Sequence, residues 1–263
     1  MIESPVVEKV AASGVKKSRS LEDDPLRYVL RSILAGMYLT LVGFVFWSLM
    51  NNLGASPFGK VIASGFFGVG LSVIIFTNAE LFTSNTMYMV VAGETVGIAR
   101  TIKLWCYCWL GNLIGAMIVA GLLYAAGAIS DMPANHALYA GAAHKAHQTA
   151  GVIFVKGILA NWVVCLAVWV GMCVKDDVSK FMAIILVVFI FLYLSFEHSI
   201  ANMGTFSISL LGQSQITLAD AAFNLLFSTL GNIVGGGLLI GGVYRFLSPL
   251  QPAGALQTGQ QPH

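Results

Sequence analysis

Four ionisable side chains lie inside otherwise apolar runs of this sequence: Glu80, Lys156, Glu197 and His198. A charge carried into a bilayer costs about 3 kcal/mol on insertion scales, so each of the four is a candidate for function or for a specific structural partner. His198 is the most informative, because an imidazole can take or release a proton near neutral pH. It is either a packed, hydrogen-bonded histidine or a group that handles charge, and its position where an apolar run breaks favours the second. Glu80 and Glu197 open two similar interruptions, "AELFTSN" and "FEHSIAN". Each could handle an ion directly. The expectation here is that each carboxylate accepts hydrogen bonds from backbone N–H groups freed by the break and so fixes it structurally. Thr83, two residues beyond Leu81 in the first break, offers a hydroxyl; opposite His198 it would form a polar gate. Lys156 lies near the end of a span, where its stem can snorkel to the interface, and no role in a pathway is expected of it.

The segment "NHALYAGAAHKAHQTA" adds His136, His144, Lys145 and His147. Its spacing does not give a metal site, but a cationic mouth could gather anions by electrostatic focusing, the alternative being a solvated loop. Cys106, Cys108, Cys165 and Cys173 form no C-x-x-C pair and no zinc spacing, and read as packed small apolar residues. No metal or cofactor is expected. Phosphate-cradling, G-x-S-x-G and H-E-x-x-H motifs are absent from the sequence, so an enzyme is not expected. An intramembrane acid–base pair of Glu197 and His198 is kept as a remote alternative.

The elements that must hold these residues follow from composition. Of 263 residues 57% are hydrophobic and 10% charged, and mean hydropathy is +0.80. About 25% charge is usual for a soluble domain, so this is an integral membrane protein. Crossing the hydrocarbon core takes about 20 apolar residues. Charge-free windows at 32–59, 61–79, 104–130, 157–174, 181–196 and 221–244 predict six transmembrane helices. The second and fifth run into the two interruptions, so helices 2 and 5 are expected to be broken, their irregular backbone buried in protein or lining a cavity. Lys and Arg cluster before the first span, at Arg100 and Lys103, at Lys175 and Lys180, and at Arg245, which places both termini on the cytoplasmic side.

A repeat is also visible. "WLGNLIGAMIVAGLLY" at 109–124 resembles "TLGNIVGGGLLIGGVY" at 229–244, and each follows an interrupted segment. Three spans followed by three of opposite topology predict an inverted 3+3 repeat with a site near the midplane. The divisions expected are a cytoplasmic N-terminal segment, 1–27, able to form an amphipathic helix or to stay mobile; a pore domain, 28–247; and a disordered tail, 248–263.

"NAELFTSN" (78–85), "KGILANWVVCLAVWVG" (156–171), "FEHSIANMGTFS" (196–207) and "GNIVGGG" (231–237) resemble the formate/nitrite transporter family, in order and spacing, over about residues 25–247. The resemblance implies an all-α, aquaporin-like protomer in a homopentamer, in the inner membrane of a bacterium or archaeon. It implies that Lys145, Asn161, His198 and Asn202 lie on the substrate pathway, with Asn232 helping to polarise the site. It further implies that Phe67, Leu71, Leu81, Phe82, Val164 and Phe191 form two apolar constrictions. The expected activity is proton-linked passage of a small monovalent anion, formate first, with nitrite or hydrosulfide as alternatives. No nucleic-acid partner is expected; membrane lipid is.

Overall fold

The computed structural model describes residues 5–213, 215–248 and 250, which leaves most of the expected 248–263 tail outside the described residues. The chain is helical nearly throughout, with no strand among the described residues. Among the described residues five helices are long and apolar enough to cross a membrane: α2 (Pro25–Leu53), α3 (Gly59–Phe76), α5 (Ile98–Ala125), α7 (Ala150–Cys173) and the run Leu218–Leu247. That last run comprises α10 (Leu218–Asn232), a π-helical stretch Ile233–Gly242 and α11 (Val243–Leu247). Between these lie α4 (Phe82–Ala92), α6 (Ala137–Ala146), α8 (Asp177–Tyr193) and α9 (Ser199–Leu211).

Local signals account for the boundaries. Asp24 caps α2 by accepting the Arg27 N–H, with Pro25 in the first turn where no donor is needed. Asp176 caps α8 through the Ser179 N–H, and Thr217 with Asp220 forms a capping box on α10. The N-terminal segment forms α1 (Pro5–Asp23), whose Val7, Val10, Gly14, Ser18 and Leu21 fall at helical spacing and are buried. That face packs on α4 and α2.

The breaks between α3 and α4 and between α8 and α9 share one geometry. Helix α3 ends with Asn78 at φ +55° and α8 with Ser195 at φ +56°. In the first, Ala79 N–H bonds Ile74 O and Asn78 N–H bonds Ile75 O; in the second, Phe196 N–H bonds Phe191 O and Ser195 N–H bonds Leu192 O. This is the left-handed stop in which the last carbonyls of a helix are satisfied by the two residues beyond it. After five non-helical residues in each case, α4 and α9 begin. Each break then docks on a neighbouring helix, Glu80 N–H on Arg31 O and Glu197 N–H on Lys156 O.

Close helix crossings hold these parts in place. A Cβ built on Gly115 would overlap the Ile33 carbonyl oxygen, and one on Gly235 the Ile158 carbonyl oxygen, so α5 meets α2, and the final run meets α7, backbone to backbone. The repeat departs from symmetry after Asn232. There the chain continues as a π-helix, whereas the matching part of α5 stays α-helical. The π stretch presses Gly236 against Asn161, Thr86 and Cys165, leaving no room there for a Cβ.

Candidate permeation site

The two breaks meet through one hydrogen bond. Thr83 Oγ1, in the first turn of α4, lies 2.9 Å from His198 Nε2, and both residues are buried. His198 is the N-cap of α9, and its Nδ1 accepts the Ala201 N–H at 3.1 Å. An acceptor nitrogen carries no proton, so in the neutral ring the proton sits on Nε2 and is donated to Thr83 Oγ1. The Thr83 hydroxyl keeps its own proton for another acceptor.

Beside His198 is a cavity of about 30 Å³, bordered by Phe67, Phe191, Lys145, Asn202 and Thr205 as well as by the imidazole. One water requires about 10–15 Å³, so the space suits one or two water-sized groups. Its aromatic wall is a chain of edge contacts, Phe46 to Phe67 at 6.1 Å and Phe67 to Phe191 at 5.9 Å, ending with Phe191 against His198 at 5.6 Å. Leu71, Leu81 and Val164 are buried in the same core. Phe82 is placed differently. Its N–H is drawn to Asn112 on α5, and its ring packs against Trp105 at 6.5 Å, on the border of a large apolar groove rather than of this cavity.

The glutamates have other partners than expected. Among the described residues neither carboxylate is held by freed backbone N–H groups; side chains surround both. Glu80 Oε2 meets Lys17 Nζ at 2.6 Å and Asn85 Nδ2 at 3.1 Å, and Asn85 also donates to Tyr28 Oη. Glu197 Oε1 accepts from Lys145 Nζ and Gln148 Nε2, both at 3.1 Å, and its Oε2 from Asn202 at 2.6 Å and Asn224 at 3.3 Å. A buried carboxylate needs both opposite charge and hydrogen bonds, and a lysine with amides supplies both. Lys145 is therefore ion-paired, not a free charge on a loop, although it borders the cavity. His136 caps α6 by accepting the Leu138 N–H, and His147 lies 4.0 Å from Asp220. Among the described residues no group of three or more His, Cys, Asp or Glu could hold a metal.

The freed backbone is satisfied by two asparagines instead. Asn232 Oδ1 accepts the Ser199 N–H at 2.8 Å, while its Nδ2 donates to Glu197 O and Gly157 O. On the other side Asn112 does the same: Oδ1 accepts the Phe82 N–H at 3.0 Å, and Nδ2 donates to Glu80 O and Ser32 O. Asn161 does not border the cavity; its Nδ2 is spent on Thr83 O, Thr86 Oγ1 and Asn232 O, tying α4 to the last span. The sequence reading did not single out Asn112, Asn85 or Lys17. The signal for Asn112 was in the repeat, since "LGN" at 110–112 aligns with "LGN" at 230–232.

Two opposed breaks, each fixed by an asparagine and a lysine–glutamate pair and meeting at a histidine, make a centre suited to passing a small solute. A family model described as formate/nitrite transporter matches residues 4–246. The chain belongs to the formate/nitrite transporter family. The nitrite transporter NirC of Salmonella typhimurium is 34% identical over 249 residues, spanning 92% of this chain and 91% of the relative. A solved FNT family ion channel superposes with a TM-score of 0.89 at 31% identity, covering 93% of this chain and 99% of its own. A pentameric formate channel with formate bound superposes at 0.73, with 26% identity, over 84% and 96%. Members of this family are transporters and channels, and this one is a multi-pass membrane protein.

Proposed function

We propose that this chain conducts small monovalent anions of weak acids together with protons, and that the Thr83–His198 contact at the junction of the two breaks is the point where the solute is handled. That contact carries the reading because it joins the two halves at a small, partly polar cavity inside an aromatic wall. A bare anion would lose its hydration at the Phe67–Phe191 pair, whereas the neutral acid avoids most of that cost. An anion reaching the cavity replaces Thr83 at the Nε2–H and receives the Thr83 hydroxyl proton as a second hydrogen bond. Complete proton transfer from His198 requires the imidazolium, in which Nδ1 gives up the Ala201 N–H.

Nitrite and formate are both proposed substrates. The 34% identity to a nitrite transporter supports the first, and the likeness to a formate-bound channel supports the second. The proposed assembly is a homopentamer, supported by the pentameric neighbour and by an apolar groove of about 1050 Å³ between α5 and α10. The proposed location is a bacterial or archaeal cytoplasmic membrane with both termini inside, as the Lys and Arg bias indicates. Purified protein in proteoliposomes tests the central claim. Nitrite and formate flux should fall and lose its pH dependence in His198→Phe; wild-type flux with wild-type pH dependence in that variant would refute it. Competition among nitrite, formate and hydrosulfide at fixed pH then ranks the substrates.

A further inference from the structure

Around the second break the charges do not balance. Two ammonium groups converge on one carboxylate: Lys145 Nζ reaches Glu197 Oε1 directly, and Lys156 Nζ reaches Gln148 Oε1 at 2.7 Å while Gln148 Nε2 donates to the same Glu197 oxygen. Because Gln148 turns its N–H₂ to the carboxylate, it can offer Lys156 only a neutral carbonyl. Among the described residues no carboxylate lies within ion-pair distance of Lys156. All four acceptances at Glu197 come from Lys145, Gln148, Asn202 and Asn224, so that carboxylate has no direct bond to give Lys156. The cluster carries a net charge of +1, and Lys156 is the member that holds it. It is half-buried, and its own carbonyl accepts the Glu197 N–H, one residue before His198. The first break differs: Glu80 has one lysine, Lys17, and the residue docked there as Lys156 is here, Arg31, is exposed.

We propose that Lys156, poised by Gln148, is the first binding position for an entering anion, ahead of the ion-paired Lys145 and the His198 cavity. The inference rests on the anion-conduction reading above. A small monovalent anion takes the place of Gln148 Oε1 at the ammonium, exchanging a neutral acceptor for a charged one. It is then within one amide side chain of the Glu197–Lys145 pair that borders the cavity. Lys145 cannot perform this step without abandoning a buried carboxylate.

Initial rates of nitrite and of formate entry into proteoliposomes, measured against concentration at low and at high ionic strength, test the assignment in wild type, Lys156→Met and Lys156→Arg. At low ionic strength the Met variant should raise the half-saturating concentration about two- to fivefold with an unchanged maximal rate, and high salt should abolish the difference. The Arg variant should retain wild-type behaviour. Wild-type half-saturation in Lys156→Met at low salt overturns the inference alone. So does a change of equal size at both ionic strengths, or a loss of maximal rate that Arg does not restore, since these mark a structural role. Passage of neither anion by the wild type overturns the anion reading, and this inference with it.

Discussion

Thr83 and His198 approach each other from opposite breaks, yet they do not occupy matching positions. His198 caps α9, while the same position before α4 is Leu81, whose side chain makes no capping bond, and Thr83 lies a residue inside that helix. The Thr83–His198 contact is thus the place where the two halves differ. Thr83→Val keeps the shape and leaves the Nε2–H without its acceptor, whereas Thr83→Ser keeps the hydroxyl. A hydrogen bond contributing about 1.4 kcal/mol at the barrier is tenfold in rate, so anion flux into proteoliposomes should fall roughly tenfold in the Val variant and stay close to wild type in Ser. His198 and Thr83 were legible in the sequence because a polar residue in an apolar run is visible against its background. The partners of Glu80 and Glu197 were not, because Lys17 lies in a mixed-charge segment and Asn85 and Asn224 in runs where amides are unremarkable. A hydrogen bond joining residues 63 apart, as Lys17 and Glu80 are, leaves no local pattern.

At the scale of elements, the breaks were readable from where hydropathy failed, and their common geometry came from the left-handed stops at Asn78 and Ser195. The π-helical stretch Ile233–Gly242 was not readable, since its glycines serve equally for close α-helical packing; the contact with Asn161 and Thr86 decides between the two. Asn112 and Asn232 each hold one break to one helix by three buried bonds, so the two should be energetically alike. Leaving buried backbone groups unpaired costs about 1–3 kcal/mol each. Asn112→Leu and Asn232→Leu should therefore each destabilise the protein by about 2–4 kcal/mol in detergent-titration unfolding. A large effect at one position with none at the other would contradict the equivalence.

Over the whole molecule, α1 is attached to the membrane-spanning part by charge as well as by its apolar face. Lys17→Met would leave Glu80 buried and unpaired at a cost of about 3 kcal/mol, while adding Glu80→Gln to it should recover most of that loss in the same unfolding assay. At the opposite end, burial holds the His136 imidazole below its ordinary pKa, and the neutral ring caps α6. The sign follows: this contribution is complete above about pH 6.5 and is lost as pH falls through the lower folded value. The thermal midpoint should therefore drop between pH 7.5 and 5 by more in wild type than in His136→Asn, which keeps a capping acceptor. The contact between Thr83 and His198 has one more consequence. At 2.9 Å no water fits between the two groups, so the two breaks are joined there by a direct bond. Under the function proposed above, a solute crosses by breaking that bond and letting it re-form behind it, so the contact recorded here is the resting arrangement of the two halves.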